Sequence, residues 1–201
     1  MVSQPVKIRD KYRTLKKFLI IFGIITLIGA ILSISFLTGF FTKPKNTIVL
    51  ENPLKDIVMR NTNAQGLVNK EKVVLEAVLE FNENYINYLL VALGVNNLHK
   101  SLIGYGNPVV EFQLGEETWS SEINNGNLIT DKSPNSEKDL IISTTKEEAV
   151  EALLSPEIEQ FMKDSVYNGD TQIEMVAGKI ELGSKGYLKM YTQLTGEEVE
   201  E

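Results

Sequence analysis

Residues 139–154, DLIISTTKEEAVEALL, join an apolar strand directly to a helix start and therefore indicate how the fold is organised. Thr145 stands three residues before Glu148, the spacing of a capping box, in which the threonine side chain caps the helix and the glutamate reaches back. The residues after Glu148 repeat their apolar positions at helical spacing. A strand that runs straight into an amphipathic helix predicts a domain of mixed α and β structure.

Upstream of this stretch, two segments alternate with the period of a β-strand, residues 109–114 and residues 117–123. Asn125 and Gly126 follow, and both tolerate the positive φ angles of a primed hairpin turn. Residues 127–131 are the expected returning strand. The sequence therefore predicts antiparallel hairpins before the strand at residue 139.

Two helices are predicted before these strands, a short one at residues 53–61 and a long one at residues 69–94. The long helix carries apolar residues on one face and a second apolar stripe beside it. Either the core covers this second stripe, or a ligand or partner does. The second stripe contains Leu75, Leu79, Ile86, Leu90 and Leu93.

Downstream of residue 154, a further helix is expected to end near Gly169, and strand structure is expected from Thr171 onward. Residues 178–194, GKIELGSKGYLKMYTQL, alternate around two glycines and are interpreted as closing strands. The predicted fold class is α+β, with a largely antiparallel twisted sheet of about five strands covered by helices on one face. This domain is expected at residues 52–196, with an acidic tail at residues 197–201.

Residues 18–41 form an uncharged apolar run of 24 positions, which as a helix is about 36 Å long and can cross a bilayer. The alternatives fit less well: a signal peptide has a shorter apolar core and a small-residue cleavage site, and a buried core helix of this length seldom lacks a polar stripe. Residues 1–17 are basic, so the positive-inside rule places them in the cytoplasm. The prediction is a single-pass membrane protein, with a tether at residues 42–51 and the C-terminal domain outside the cytoplasm.

Composition excludes several classes of function. The chain has a net charge of -7 although its N-terminal segment is basic, so the remainder is strongly acidic and repels the phosphates of nucleic acids. The chain has no cysteine, which excludes disulfides, thiolate metal sites and a cysteine nucleophile.

No motif in the chain indicates catalysis. The single histidine, His99, is expected on the surface, and no Gly-x-Ser-x-Gly nucleophile motif occurs. Adjacent glutamates, such as Glu116 and Glu117, are expected to be solvated charges, and no cluster of oxygen ligands indicates a metal site. We therefore expect no enzyme activity, no cofactor and no metal.

Four features together resemble the sterol carrier protein type two domain. They are a strand and turn at residues 119–127, the strand-to-helix stretch at residues 139–154, the short helix after it, and the glycine-containing ending at residues 178–194. The resemblance implies that Gly178 and Gly183 allow neighbouring strands to turn sharply. It also implies an apolar tunnel between sheet and helices that holds fatty acyl chains, sterols or similar lipids.

Two functional hypotheses follow. In the first, the anchored domain binds a lipid or another apolar molecule for lipid handling or presentation near the membrane. In the alternative, the core is closed and the domain is a membrane-tethered protein-interaction module, a subunit of a membrane or cell-surface complex. The residues that would line the tunnel in the first hypothesis are Val150, Leu153, Leu154, Ile158, Phe161, Met162, Ile180, Leu182, Leu188 and Met190.

Overall fold

The computed structural model describes residues 50–197, which form an α+β fold with a five-stranded sheet. The segment at residues 18–41 lies outside the described residues, and among the helices of residues 50–197 none has the length and apolar character needed to span a bilayer. The helices are α1 (Lys55–Arg60), α2 (Lys70–Leu79), α3 (Glu83–Ala92), a 3-10 turn (Val95–Asn97), α4 (Lys146–Leu154), α5 (Ile158–Asn168), α6 (Lys179–Lys185) and α7 (Tyr187–Thr195). The strands are β1 (Val109–Leu114), β2 (Glu117–Asn124), β3 (Asn127–Asp131), β4 (Leu140–Thr144) and β5 (Gln172–Met175).

The sheet is mixed, with strand order β3-β2-β1-β4-β5. The pairs β1 with β2, β2 with β3, and β4 with β5 are antiparallel, whereas β1 and β4 are parallel at the centre of the sheet. Phe112 on β1 lies opposite Trp119 on one side and Ile142 on the other. Five strands are thus confirmed, and the central parallel pair makes the sheet mixed.

The predicted hairpin between β2 and β3 is confirmed at its turn. Asn125 has a φ of 52° and Gly126 a φ of 81°, so both occupy the left-handed region that a two-residue primed turn requires. The turn fixes the register, in which Asn124 pairs with Asn127.

One face of the sheet packs into a hydrophobic core shared with the helices. Val110, Phe112 and Leu114 of β1 belong to this core, as expected from the two-residue period of a strand. Glu111 lies between them on the opposite face, where it is covered by Lys138, whose Nζ atom is 2.8 Å from its carboxylate. The helical residues of the core include Leu89, Leu90, Ala149, Val150, Met162, Tyr187 and Met190.

The transition from β4 to α4 follows the predicted capping arrangement in part. Thr145 adopts an extended backbone, and its Oγ1 atom accepts a hydrogen bond of 3.0 Å from the Glu148 N–H. Within the described residues, the Glu148 carboxylate forms no return hydrogen bond. The threonine alone therefore supplies the side-chain cap.

The prediction of a single helix at residues 69–94 is wrong, because the structure forms α2 and α3 there. The helix α2 ends at Leu79, and the Asn82 side chain then accepts a hydrogen bond of 2.9 Å from the Asn84 N–H and caps α3. Asparagine is a strong N-cap residue, so this residue starts a second helix within a continuous apolar pattern.

The prediction of strands at residues 178–194 is also wrong. This segment forms α6 and α7, and β5 is the one strand after α5 in the described residues. Gly186 joins the two helices with a φ of 92°, where it ends α6 and begins α7. Glycine adopts this left-handed conformation without steric cost, so Gly186 allows the two helices to follow each other directly.

Candidate functional site

An open groove on the helical side of the domain is the candidate site. Its volume is about 640 Å³, within the range of roughly 300–1,000 Å³ that is typical of small-molecule sites. We call it the helix groove, and it is lined by Lys70, Glu71, Val74, Leu75, Val78, Glu147, Glu151, Leu154, Ser155, Pro156 and Phe161.

The helix α2 forms one wall because it carries more apolar residues than the core can cover. Val73 and Ala77 are fully buried, whereas Val74 and Val78 are half-buried and line the helix groove. Leu75, also in the groove, leaves 64% of its surface exposed. An exposed leucine beside half-buried valines forms a continuous apolar surface that water covers at a cost in free energy.

The opposite wall and the end of the helix groove come from α4, α5 and the link between them. The helix α4 turns its small and aliphatic residues into the core and ends with Leu154, which is half-buried at the groove. Ser155 and Pro156 interrupt the helix, and α5 then brings the half-buried ring of Phe161 to the groove.

A second groove adjoins the first and extends its apolar surface. Its volume is about 460 Å³, and Lys70 and Leu154 line both grooves, so the two meet at these residues. We call it the side groove, and it is lined by Asn52, Leu54, Lys55, Val58, Met59, Val68, Lys70, Leu153 and Leu154.

The rim of the helix groove carries exposed charges that have no partner among the described residues. Glu147 and Glu151 lie one turn apart on α4, and Glu71 lies on the first turn of α2. Within residues 50–197, neither these three carboxylates nor the Lys70 ammonium group forms an ion pair or side-chain hydrogen bond. The rim therefore has an excess of negative charge over an apolar floor.

The ten residues predicted to line a tunnel fall into three groups in the structure. Five are buried in the hydrophobic core, four are half-buried against it, and Ile180 is 72% exposed on α6. Among the half-buried residues, Leu154 and Phe161 line the helix groove. The buried five are Val150, Leu153, Met162, Leu182 and Met190, and the other half-buried residues are Ile158 and Leu188.

The predicted geometry of the tunnel needs correction. Ile180, Leu182, Leu188 and Met190 were expected on closing strands but lie on α6 and α7. Strand residues would have faced the helices in alternation, whereas helical residues meet the core at every third or fourth position. Leu182 and Met190 therefore pack within the core, and Ile180 points away from it.

A buried charged cluster lies where α6 meets the sheet. Lys185 Nζ is 2.6 Å from Asp139 Oδ1 and 2.8 Å from Glu181 Oε1. Asp139 Oδ2 accepts hydrogen bonds from the Val109 N–H, at 2.8 Å, and from the Tyr187 hydroxyl group, at 3.2 Å. Burial raises the pKa of Asp139, and burial together with the Asp139 charge raises the pKa of Tyr187 well above its ordinary value.

The charged atoms of this cluster are paired with one another, so they offer no free group to a ligand. Among the described residues, every buried side-chain nitrogen or oxygen atom has a hydrogen-bond partner. The same part of the chain contains no group of three His, Cys, Asp or Glu side chains that could hold a metal ion. His99 is exposed, as predicted, with its Nδ1 atom 3.2 Å from the Lys100 carbonyl oxygen.

Sequence reasoning missed the charged rim but contained a signal for the apolar wall. The sequence left open whether the core or a ligand or partner covers the second apolar stripe of the long helix. In the structure, Ile86, Leu90 and Leu93 are buried in the core, whereas Leu75 and Leu79 are exposed at 64% and 80%. The rim glutamates carried no such signal, because an exposed glutamate on a helix is ordinary.

No family model and no curated protein matches this chain. Among solved structures, it is similar to the stereoselective inverting sec-alkylsulfatase Pisa1 from Pseudomonas sp., with 14% identity and a TM-score of 0.33 over 59% of this chain and 16% of that chain. A double mutant of the same sec-alkyl sulfatase gives 13% identity and a TM-score of 0.32 over the same shares. The chain thus spans about a sixth of the length of these enzymes, and TM-scores this low support no conclusion about fold or activity.

Proposed function

We propose that this chain binds the acyl chain of a lipid, or a similar apolar molecule, in the helix groove. The observation that carries the proposal is an apolar wall open to solvent, with Leu75, Val74 and Val78 facing the half-buried Leu154 and Phe161 across a volume of about 640 Å³. A ligand that covers this surface gains roughly 25 cal/mol for each Å² of apolar area removed from water.

We also propose that residues 18–41 anchor the domain in a membrane, with the N-terminus in the cytoplasm and the C-terminal domain outside it. The uncharged length of that segment and the basic residues before it support this arrangement. A binding domain tethered in this way would handle or present lipids close to the bilayer that supplies them.

The fold is proposed to be sterol-carrier-like, with the sheet largely antiparallel and the helices on one face. Three antiparallel strand pairs and a core on one face of the sheet support this topology. The proposed ligand position differs from the tunnel that the resemblance implied. The core residues Val150 and Met162 pack against other side chains, whereas the lining of the helix groove is open to a ligand in the described residues.

A second candidate function, protein interaction, is favoured by a different surface. The loop between the 3-10 turn and β1 exposes 93% of Leu102, 62% of Ile103 and 44% of Tyr105. Three exposed apolar residues within four positions are typical of contact surfaces. In this alternative, the anchored domain is a subunit of a membrane or cell-surface complex that uses this loop.

Lipid extraction from purified protein tests the first proposal. The full chain is purified in a maltoside detergent, extracted with organic solvent and analysed by mass spectrometry. We expect stoichiometric lipid in the wild type and in Leu79→Glu, because Leu79 lies on the same helix outside the helix groove. Leu75→Glu should lose the lipid, because it places a charge on the groove wall, and its far-UV circular dichroism should match that of Leu79→Glu.

Two results would argue against this assignment. Stoichiometric lipid that persists in Leu75→Glu would place the ligand elsewhere. Wild-type protein that contains no lipid and takes up no fluorescent fatty acid would contradict lipid binding. A partner whose co-purification is lost in Leu102→Glu would then favour the interaction module.

A further inference from the structure

The charges around the helix groove bear on the chemistry of its ligand. Glu147 and Glu151 stand on α4, and Glu71 stands on the facing wall, so carboxylates flank the apolar floor from both sides. Lys70 is the one basic residue that lines this groove within the described part of the chain. Lys70 lies where the helix groove meets the side groove, so it occupies one end of the charged rim.

Glu71 and Glu147 lie in the first turns of α2 and α4, where a negative charge interacts favourably with the helix dipole, but neither they nor Glu151 has a paired cation in the described residues. Like charges one turn apart on a helix repel each other, and Glu147 and Glu151 have no cation beside them in the described residues. The neighbouring Lys146 is directed away, to Glu117, at 2.8 Å. Within the described residues, three carboxylates and one ammonium group line the groove, so the charge of its lining is net negative and attracts a cation.

We propose that the ligand of the helix groove is a cationic amphiphile, an apolar chain that ends in a protonated amine or a quaternary ammonium group. This inference rests on the proposed lipid-binding function and specifies its ligand class. The apolar chain lies against Leu75, Val78 and Leu154, and the cationic group lies beside the rim carboxylates Glu147 and Glu151.

Charge complementarity distinguishes this ligand from a fatty acid. A fatty acid carries a carboxylate where the proposed ligand carries its ammonium group. In the groove, three glutamates repel that carboxylate and a single lysine attracts it. A cationic group is attracted by three carboxylates, and the ring of Phe161 in the groove adds a favourable surface for an ammonium ion.

Photo-crosslinking of the full chain in a maltoside micelle tests the proposal. Three probes of equal alkyl chain length carry a diazirine and end in a primary amine, a trimethylammonium group or a carboxylate. Labelled peptides are mapped by mass spectrometry. We expect the two cationic probes to label α2 and α4 roughly threefold to tenfold more than the carboxylate probe, because exposed charge pairs each change binding by about 1.5- to 5-fold.

Matched variants on α4 distinguish the effect of the groove carboxylates from the effect of the net charge of the protein. The double variant Glu147→Gln, Glu151→Gln should abolish most of the preference for cations. Glu148→Gln should leave it unchanged, because Glu148 occupies the first turn of the same helix but does not line the groove. The preference should also decrease as salt is added, since exposed charges are screened.

The outcomes distinguish this inference from the proposed function. Equal groove labelling by all three probes, or stronger labelling by the carboxylate probe, would overturn the cationic ligand and leave lipid binding intact. No groove labelling by any probe would overturn both. Groove binding by a basic amphipathic peptide alone would likewise overturn both and assign the groove to a protein helix.

Discussion

The buried ion pair between Asp139 and Lys185 predicts a large loss of stability when only the cation is removed. The two side chains are 1% and 2% exposed, and their charged atoms are 2.6 Å apart. Lys185→Met leaves the Asp139 carboxylate buried with hydrogen bonds but no counter-charge, a change that typically costs about 3–5 kcal/mol. The second partner, Glu181, is 26% exposed, so losing that contact adds at most about 1 kcal/mol.

Urea denaturation measures this cost. Residues 46–201 are unfolded at pH 7, and the transition is followed by the fluorescence of the single tryptophan, Trp119, and by far-UV circular dichroism. Lys55→Met, which removes an exposed ion pair with Glu51, should change nothing measurable. The double variant Asp139→Asn, Lys185→Met should recover most of the loss, because it removes both charges and keeps an amide oxygen as acceptor.

The stability loss in Lys185→Met should also depend on pH. Burial already raises the pKa of Asp139, and without the ammonium group nothing cationic opposes that rise. Folding raises the pKa of this carboxyl group, so the penalty is present while the group is ionised; it decreases as pH falls through the folded pKa and disappears toward the unfolded pKa of about 3.9. A cost below about 1 kcal/mol at pH 7, or a cost that does not change with pH, would refute this reasoning.

Three further predictions concern local features of the fold. Thr145→Ala should lower the free energy of unfolding by about 1 kcal/mol, measured by urea denaturation, because the N-cap of α4 is lost. The hydrogen bond from Lys146 holds the pKa of Glu117 at about 2, so Lys146→Met should raise that pKa toward 4.5 in an NMR titration. In the wild type, the stability that this contact gives above pH 4.5 should disappear as pH falls toward 2. Gly186→Ala should lower the free energy of unfolding by about 1–2 kcal/mol, because the φ of Gly186 is 92°. Gly183→Ala should lower it less in the same assay, because Gly183 lies within α6 and its added Cβ atom would be 3.3 Å from the flexible Leu188 side chain.

The parts of the fold predicted correctly are those with strong local signals. The turn at Asn125 and Gly126 requires positive φ angles that few residue pairs accept, so its sequence nearly determines the hairpin. Thr145 likewise marks the start of α4, because its side chain supplies a hydrogen bond that the first helical turn needs. These features depend on a few neighbouring residues, so they can be predicted from the sequence alone.

The strand prediction for residues 178–194 was wrong because the apolar pattern of this segment fits both the strand period and the helix period. Leu188, Met190 and Leu194 are separated by even numbers of residues, as in a strand, but Met190 and Leu194 are also one helical turn apart. Tyr187, three residues before Met190, completes a helical stripe, and all three members of that stripe are buried in the structure. Short apolar patterns of this kind leave helix and strand undecided, and packing against the core decides.

The burial of Lys185, in the same segment, could not be predicted from the sequence either. Lys185 is separated from Asp139 by 46 residues, and nothing local to either residue indicates that they meet. A long-range contact of this kind follows from the topology, which places the start of β4 beside the end of α6. Fold-level information is therefore needed before a charged residue can be assigned to the interior.

The contrast between the interior and the helix groove is the strongest reason to place function at the groove. In the described residues, every buried side-chain nitrogen or oxygen atom has a hydrogen-bond partner, so no buried polar side chain there is left for a ligand to satisfy. The groove combines an exposed Leu75 with unpaired, like-charged Glu147 and Glu151, and both features disfavour the free protein. A ligand with an apolar chain and a positive charge would remove both at once, and sites that depart from local folding rules in this way are commonly functional.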